Sequence, residues 1–350
     1  LGKDENGYAK AAEKPQSWVR QLFSHSVPSI TERHGKAGCF ALWFKNMVHP
    51  RVSVIVNVRN GAASLHEALE SVFAQTFTDW ELICWDDRST DESAQIISRY
   101  TRDRVRYFLS PDETPLGQAR DAAIREAQGE WLAFLDQDDI WLPDKLQKQI
   151  ALVDGDPGVG IVYGRTVMFS AHGAQRDFDH RHEFQPLPEG NIFERLFIDS
   201  CFISMSSSVL RRSAVEEIGR IPNYIRVVPD YYLFVAVARH YQARAVQEVV
   251  CRYRLHDTSM SASNRIRMHE EALMVVESWA HCLNPRLLDR RRKVHSTVIA
   301  VEEIRHTATA GKGLARLFTG GSIGYLLSRP FAKAFRFIRR IVQRPFWQAL

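Results

Sequence analysis

Cysteine is scarce in this chain, five in 350 residues, and no two stand in a C-x-x-C pair. Cys39, Cys84, Cys201, Cys251 and Cys282 are odd in number and widely spaced, which argues against a disulfide framework or a zinc knuckle. Free thiols in a reducing compartment, on the cytoplasmic side of a membrane, are the expectation. Long apolar runs are missing as well. The longest candidate, Leu317 to Ser328, has twelve uncharged residues and two adjacent glycines, short of the roughly 18 apolar residues a membrane-spanning helix needs. No charged start followed by an apolar run lies near Leu1, so no signal peptide is expected. Neither G-x-G-x-x-G nor G-x-x-x-x-G-K occurs, which argues against dinucleotide and P-loop chemistry. Internal repeats and low-complexity tracts are absent too.

What is present is an ordinary globular composition, 45% hydrophobic and 25% charged, long enough for a sizeable core. The net charge of +5 is unevenly placed. From Arg286 onward fourteen Lys and Arg face three Asp and Glu, so the tail carries +11 and the remainder about −6. The high pI therefore belongs to an appendage and not to the body.

Residues 1–50 are punctuated by Pro15, Pro28 and Pro50 and read as an extension of short helices without an assigned role. From Arg51 strands alternate with helices. Val52 to Val58 reads as a buried strand, followed by a helix opened by a Ser64/Glu67 capping box with Leu65, Ala68, Leu69, Val72 and Phe73 on one face. Glu81 to Trp85 is a second strand, and Ser89 with Glu92 repeats the capping spacing. Val105 to Leu109 is a third strand, Gly117 to Ala127 a helix closed by Gly129 as a left-handed cap, and Trp131 to Leu135 a fourth strand. Pro143 is expected to open the next helix. Strands are further expected over 159–163, 166–169 and 246–253, a polar loop over 172–190, and helices over 192–197, 213–218 and 230–240. This order implies an α/β fold with right-handed crossovers.

The stretch Trp131 to Leu146 carries the strongest chemical signal: an apolar strand ends in Asp136, Asp138 and Asp139, three carboxylates within four residues. Like charges repel, so gathering them at a strand tip suits holding a divalent cation against a phosphate. A second strand ends in Asp86, Asp87, Arg88, Ser89, Thr90 and Asp91. In open α/β sheets ligands bind beyond the carboxyl ends of the strands, so both acidic tips can face one pocket.

These segments, together with Gln75-Thr76 and Gly117-Gln118-Ala119-Arg120, resemble in order and spacing the inverting family 2 glycosyltransferases over roughly residues 51–260. The resemblance implies a GT-A type fold: a Rossmann-like, mainly parallel sheet flanked by helices, with a helical C-terminal appendage. It also implies a domain over 51–262, divided into a nucleotide-sugar half (51–153) and an acceptor half (154–262), and a basic helical tail over 263–350. By the same resemblance Val56, Asn57 and Val58 meet the base through their backbone, and Asp86 accepts the N3–H of a uracil ring. Arg120, Asp136 and Gln137 complete the donor site. Asp138, Asp136 and His256 hold Mn2+ or Mg2+, whose preference for hard oxygen ligands fits the carboxylates. Asp230, in Val228-Pro229-Asp230-Tyr231-Tyr232-Leu233, matches the base that takes the acceptor hydroxyl's proton.

Departures from the family pattern are specific. Arg59 stands where an aromatic group is usual, Asp121 replaces an Asn, and Pro229 replaces a Glu, removing a supporting carboxylate. Plainer readings exist for each residue: Asp230, Asp87 and Asp91 as helix caps, Arg59 as a loop cation, Arg120 as a partner on a helix face. His180-Arg181-His182-Glu183 has metal-like spacing but lacks a third ligand, so a solvated loop is expected.

The implied activity is metal-dependent inverting transfer from a UDP-sugar to a saccharide or lipid-linked saccharide in surface polysaccharide assembly. A non-catalytic nucleotide-sugar binding module and a sugar nucleotidyltransferase are the alternatives, the latter lacking its Gly-rich phosphate loop after Val52. In the tail, Phe331, Ala334, Phe335, Ile338, Ile341 and Val342 fall on one helical face opposite Lys333, Arg336, Arg340 and Arg344. That pattern predicts peripheral attachment to an anionic membrane surface, against the plainer reading of a helix packed on the body. No helix-turn-helix or aromatic-basic motif points to nucleic acid.

Overall fold

The computed structural model describes residues 49–100, 104–153, 155–170, 175–177, 185–199, 201–256, 259–305, 312 and 316–317. The N-terminal extension up to residue 48, the 180–183 segment and the amphipathic tail helix lie outside the described residues.

Nine strands form one sheet among these residues, in the order β3-β2-β1-β4-β8-β6-β9-β5, with β7 paired to β6. They are β1 (Val52–Val58), β2 (Trp80–Asp86), β3 (Val105–Leu109), β4 (Trp131–Phe134), β5 (Ile140–Trp141), β6 (Val159–Phe169), β7 (Gln175–Asp177), β8 (Val209–Arg211) and β9 (Gln242–Arg254). The helices are α1 (Leu65–Phe73), α2 (Ser93–Ser98), α3 (Leu116–Glu126), α4 (Lys145–Ala151), α5 (Phe193–Ile198), α6 (Arg212–Ile218), α7 (Pro229–Ala238), α8 (Met260–Ser263), α9 (Arg265–Ser278) and α10 (Pro285–Arg305).

The first half is parallel throughout, β3-β2-β1-β4, and its inner strands β1, β2 and β4 carry the near-continuous burial of strands covered on both faces. The second half is mixed: β8 joins β4 and β6 antiparallel, β9 lies parallel to β6, and β5 closes antiparallel on β9. Alternation along the strands separates two cores. Val54, Val56, Leu82 and Cys84 pack with Leu65, Leu69 and Val72 of α1, while Ile55, Ile83 and Phe134 pack on the other face with Ala123 of α3 and Phe234 of α7.

Several local expectations are corrected. Ser64 caps nothing and instead donates to the Gln137 carbonyl at 3.2 Å. Helix α2 begins at Ser93, four residues beyond Ser89, because Asp91 Oδ1 accepts the Ser93 N–H and ends the preceding loop. Gly129 is not a left-handed cap; among the described residues the glycines with positive φ are Gly155, Gly190 and Gly219. Its missing side chain lets the chain pass 2.5 Å from where a Cβ would meet the Ser53 nitrogen, so that its N–H reaches Ser53 Oγ at 2.8 Å. Pro143 precedes α4 instead of opening it, since the chain first spends Ile140–Trp141 pairing with β9. The two short strands expected over 159–169 are one strand, and β8 and a 3-10 turn, Met205–Ser207, lie in a stretch between the expected helices where no element is expected.

Candidate active site

The parallel half delivers three strand ends to one rim, the position where α/β sheets place their ligands. There β1 brings Val56, Asn57 and Val58, with Val58 opposite Asp86 at the end of β2, and the chain leaving β4 brings Asp136. Gln137 then turns back on β1. Its Oε1 accepts the Arg59 N–H at 2.8 Å and its Nε2 donates to the Arg59 carbonyl at 3.0 Å. Such a two-point bond fixes the backbone after Val58, the stretch assigned to the base.

Asp136 is held from two sides. Its N–H donates to Ser206 Oγ at 3.1 Å, and its Oδ1 accepts Arg120 Nη2 at 2.9 Å. Burial pushes its carboxyl up to about 6; Arg120 opposes the shift, and the neighbouring charges of Asp138 and Asp230 add to it. Asp230 is likewise raised by burial and opposed by Arg120. Asp136 and Asp138, after β4, and Asp230, on α7, thus share one field across two separate segments, with buried Arg120 compensating Asp136 and Asp230. Asp230 lies in the first turn of α7, where Pro229 fixes the helix start, and its Oδ1 accepts the Tyr231 N–H at 2.8 Å.

His256 Nε2 and Asp138 Oδ2 lie 2.7 Å apart, because β9 carries Arg254 alongside, where Nε donates to the Asp138 carbonyl at 2.9 Å. Asp139, the third member of the acidic run, faces inward. Its Oδ2 accepts Ser206 O–H at 2.5 Å and its Oδ1 accepts the Arg254 N–H at 3.0 Å, so it ties the 3-10 turn to β9. Burial and the charges of Asp136 and Asp138 raise its carboxyl well above the usual range.

At the other tip Asp86 is buried and accepts Tyr107 O–H at 2.9 Å and the Ser89 N–H at 2.8 Å. A carboxylate offers about four lone-pair sites, so a further donor can still be accepted. Asp87 does not cap the next helix; both its oxygens receive Thr114, through the N–H at 3.0 and 3.2 Å. Asp91 precedes the N-cap position, Glu92; its Oδ1 accepts the Ser93 N–H at 3.0 Å and its Oδ2 the Ala62 N–H at 2.9 Å. Arg59 is no free loop cation: Nη2 reaches Glu113 at 2.7 Å and Nη1 the Asp87 carbonyl at 2.9 Å. Asp121 bonds the Ile221 N–H at 3.3 Å and Arg220 Nε at 3.2 Å, anchoring the loop that leads to Asp230.

Sequence reasoning missed Ser206, Tyr107, Trp85 and Gln118. Buried polar atoms without a partner among the described residues include Asn57 Nδ2, Trp85 Nε1, both ends of the Gln118 amide and Arg120 Nε, on β1, β2 and α3. Buried polar groups are costly to leave unpaired, so this concentration suits a polar ligand.

The carboxylates of Asp136 and Asp138 with the His256 imidazole fit a hard divalent cation in donor type and in surplus negative charge. Among the described residues no three such side chains converge as a ready-made cage. A magnesium-like ion commonly keeps waters and takes phosphate oxygens, which is consistent with this open arrangement.

A half-parallel sheet with two acidic strand tips and a carboxylate at a facing helix start defines a glycosyltransferase of the GT-A type. The same architecture is found in a mannosyltransferase from Pyrobaculum calidifontis, solved with GDP-Man and Mn2+, at a TM-score of 0.57 and 20% identity, covering 82% of this chain and 83% of that one. The family model for glycosyl transferase family 2 matches residues 53–219. An Escherichia coli enzyme, the UDP-Glc:alpha-D-GlcNAc-diphosphoundecaprenol beta-1,3-glucosyltransferase WfaP, is 30% identical over 213 residues, covering 61% of this chain and 80% of that protein. The chain belongs to glycosyl transferase family 2. An uncharacterized glycosyltransferase of Rickettsia conorii is 28% identical over 240 residues, covering 67% of this chain but only 38% of that protein. This chain therefore spans well under half the length of that relative.

Proposed function

We propose that this glycosyltransferase moves a sugar from a UDP-sugar to a saccharide or lipid-linked saccharide with inversion, in surface polysaccharide assembly. The convergence of Asp136, Asp138 and Asp230 on one rim, compensated by Arg120, carries the reading. The WfaP name supports a UDP donor and a diphosphate-lipid acceptor, whereas the nucleotide of the Pyrobaculum structure is a guanine one. The Asp86 carboxylate accepts only, which disfavours bases presenting acceptors at that edge. Uracil N3–H and guanine N1–H both satisfy it, so the choice of uracil follows the WfaP name and is what the UDP- and GDP-sugar panel tests.

In this reading Asp138 and Asp136, with His256, hold Mn2+ or Mg2+; when bound, the ion supplies Lewis-acid stabilisation of the departing diphosphate. Arg120 restrains Asp136 and adds positive charge close to the leaving group. Gln137 holds the backbone of Asn57 and Val58 against the base. Asp230 takes the proton from the acceptor hydroxyl on the face opposite the diphosphate, and its burial favours a proton affinity suited to that task. No described helix is long and apolar enough to cross a membrane. The basic tail supplies attachment to an anionic membrane surface, which places the work at the cytoplasmic face; pelleting with anionic vesicles should weaken when residues 329–350 are removed.

The main test uses purified protein with Mn2+ against a panel of UDP- and GDP-sugars, scoring donor hydrolysis and UDP binding, with Asp138→Asn and Asp230→Asn alongside. Hydrolysis of a UDP-sugar, lost in both variants but with UDP–Mn2+ binding lost only in Asp138→Asn, is the expected result. Equal binding of UDP by the wild type and Asp138→Asn would count against the metal assignment.

A further inference from the structure

The geometry points to Glu271 as a positioning residue that sets the base loop from outside the segment matched by the family model. Glu271 lies in α9, and its carboxylate is buried at 1% exposure. One oxygen, Oε2, accepts three consecutive backbone donors, Arg226 N–H at 2.9 Å, Val227 N–H at 2.7 Å and Val228 N–H at 3.3 Å. The other, Oε1, accepts Arg267 Nε at 2.9 Å. Those three donors immediately precede Pro229 and Asp230. Pro229 has no N–H of its own, so these are the last backbone donors before the helix that presents Asp230.

The opposite side of the same loop is closed by α3. Gly117 donates its N–H to the Arg226 carbonyl at 3.4 Å, and a Cβ at Gly117 would stand 2.1 Å from the Ile225 carbonyl oxygen. The loop is thereby clamped between a glycine of the nucleotide-binding half and a carboxylate of the C-terminal helices. The sequence lacks a carboxylate at position 229, where Pro229 stands, and Glu271 supplies one from 42 residues beyond it. It touches backbone and not substrate, so its effect passes entirely through where Asp230 points.

This inference rests on Asp230 as the base. The experiment therefore measures Glu271→Asp, Glu271→Gln and Asp230→Asn together, using the UDP-sugar hydrolysed fastest in the panel above, with Mn2+. Glu271→Asp withdraws the acceptor by one methylene, whereas Glu271→Gln leaves an oxygen in reach of the same donors. Misplacing a reacting group by about 1 Å can cost 100-fold, so Glu271→Asp is expected to lower kcat about tenfold or more, with donor KM and UDP–Mn2+ affinity within about twofold of the wild type. Glu271→Gln should recover kcat to within about threefold, and amide hydrogen exchange at residues 226–228 should quicken in the Asp variant and remain slow in the Gln variant.

An unchanged kcat in folded Glu271→Asp, or a fall in UDP affinity that tracks the fall in kcat, overturns the proposal. Should Asp230→Asn retain turnover, the base assignment fails on its own. Exchange at residues 226–228 then still reports whether Glu271 holds the loop.

Discussion

Lys145 offers a quantitative check on the packing beneath the site. It is fully buried, with Nζ 2.7 Å from Gln149 Oε1, 3.4 Å from the Ser208 carbonyl and 4.1 Å from the centre of the Trp141 ring. No carboxylate pairs with it among the described residues, and burial lowers its pKa from 10.5 to about 7. The unfolded chain then binds more protons than the folded one between those values, so stability must rise with pH across that window. Above pH 8.5 the buried thiol of Cys84, raised to about 12, pulls the other way, because it ionises only on unfolding. Between pH 7 and 8.5 Lys145 is expected to add roughly 2 kcal/mol, at about 1.4 kcal/mol per pKa unit. Urea denaturation of the wild type at pH 7, 7.75 and 8.5 measures that gain. Lys145→Met should remove it and be the more stable protein at pH 7, since it deletes a buried, unpaired cation while keeping the volume. A pH-independent wild type over this interval, or a Met variant less stable than the wild type by more than about 2 kcal/mol, would refute the reasoning.

Three further outcomes are expected. Ser206→Ala leaves the Asp139 carboxylate and the Asp136 N–H without their shared hydroxyl, and should cost about 1–3 kcal/mol in chemical denaturation while weakening Mn2+-dependent UDP binding. Gly117→Ala drives a methyl into the Ile225 carbonyl and should slow donor hydrolysis at least about tenfold, with UDP affinity preserved in calorimetry. His295 accepts Arg291 Nη2 at 2.9 Å and faces His269 Nδ1 at 3.0 Å, in a setting that lowers the His269 pKa to about 4 through burial and the charges of Arg265 and Arg291, with Glu302 opposing. At His269 the unfolded state therefore binds its proton first, which takes up to about 3 kcal/mol from stability as pH drops from 6.5 toward 4. The raised Asp136 carboxyl contributes in the opposite sense, so the histidine contribution is read as the difference between the wild type and His269→Gln. His269→Gln should flatten that limb in thermal melts.

The parts of this architecture legible in the sequence are those where one physical rule dominates. Strands β1, β2 and β4 are apolar on both faces because helices cover both, and their runs end where acids face the crevice. By contrast β5 and β8, of two and three residues, have no room for a period, and both are formed by pairing with distant strands. Capping boxes were misleading because Ser64 and Ser89 found tertiary partners, Gln137 and Asn60. In the site, Asp136, Asp138 and Asp86 stand out as acids that close apolar strands, whereas Arg120 is picked out only by the family resemblance. Ser206 was not, although the run Ser204-Met205-Ser206-Ser207-Ser208 has every serine buried, a concentration of hydroxyls that signals internal hydrogen bonding. Glu271 left no local signal at all, since the donors it accepts belong to a loop more than forty residues earlier.

The pairing of Asp138 with His256 spans 118 residues of chain. At a synthesis rate of about 5–20 residues per second, the acidic tip leaves the ribosome on the order of ten seconds before its imidazole does. Until β9 has been made and laid beside β6, the nascent chain exposes carboxylates with no histidine to meet them. A polypeptide released before residue 256 would carry the parallel half of the sheet and its acidic tip without the imidazole that meets Asp138, so translation itself schedules when that pairing can form.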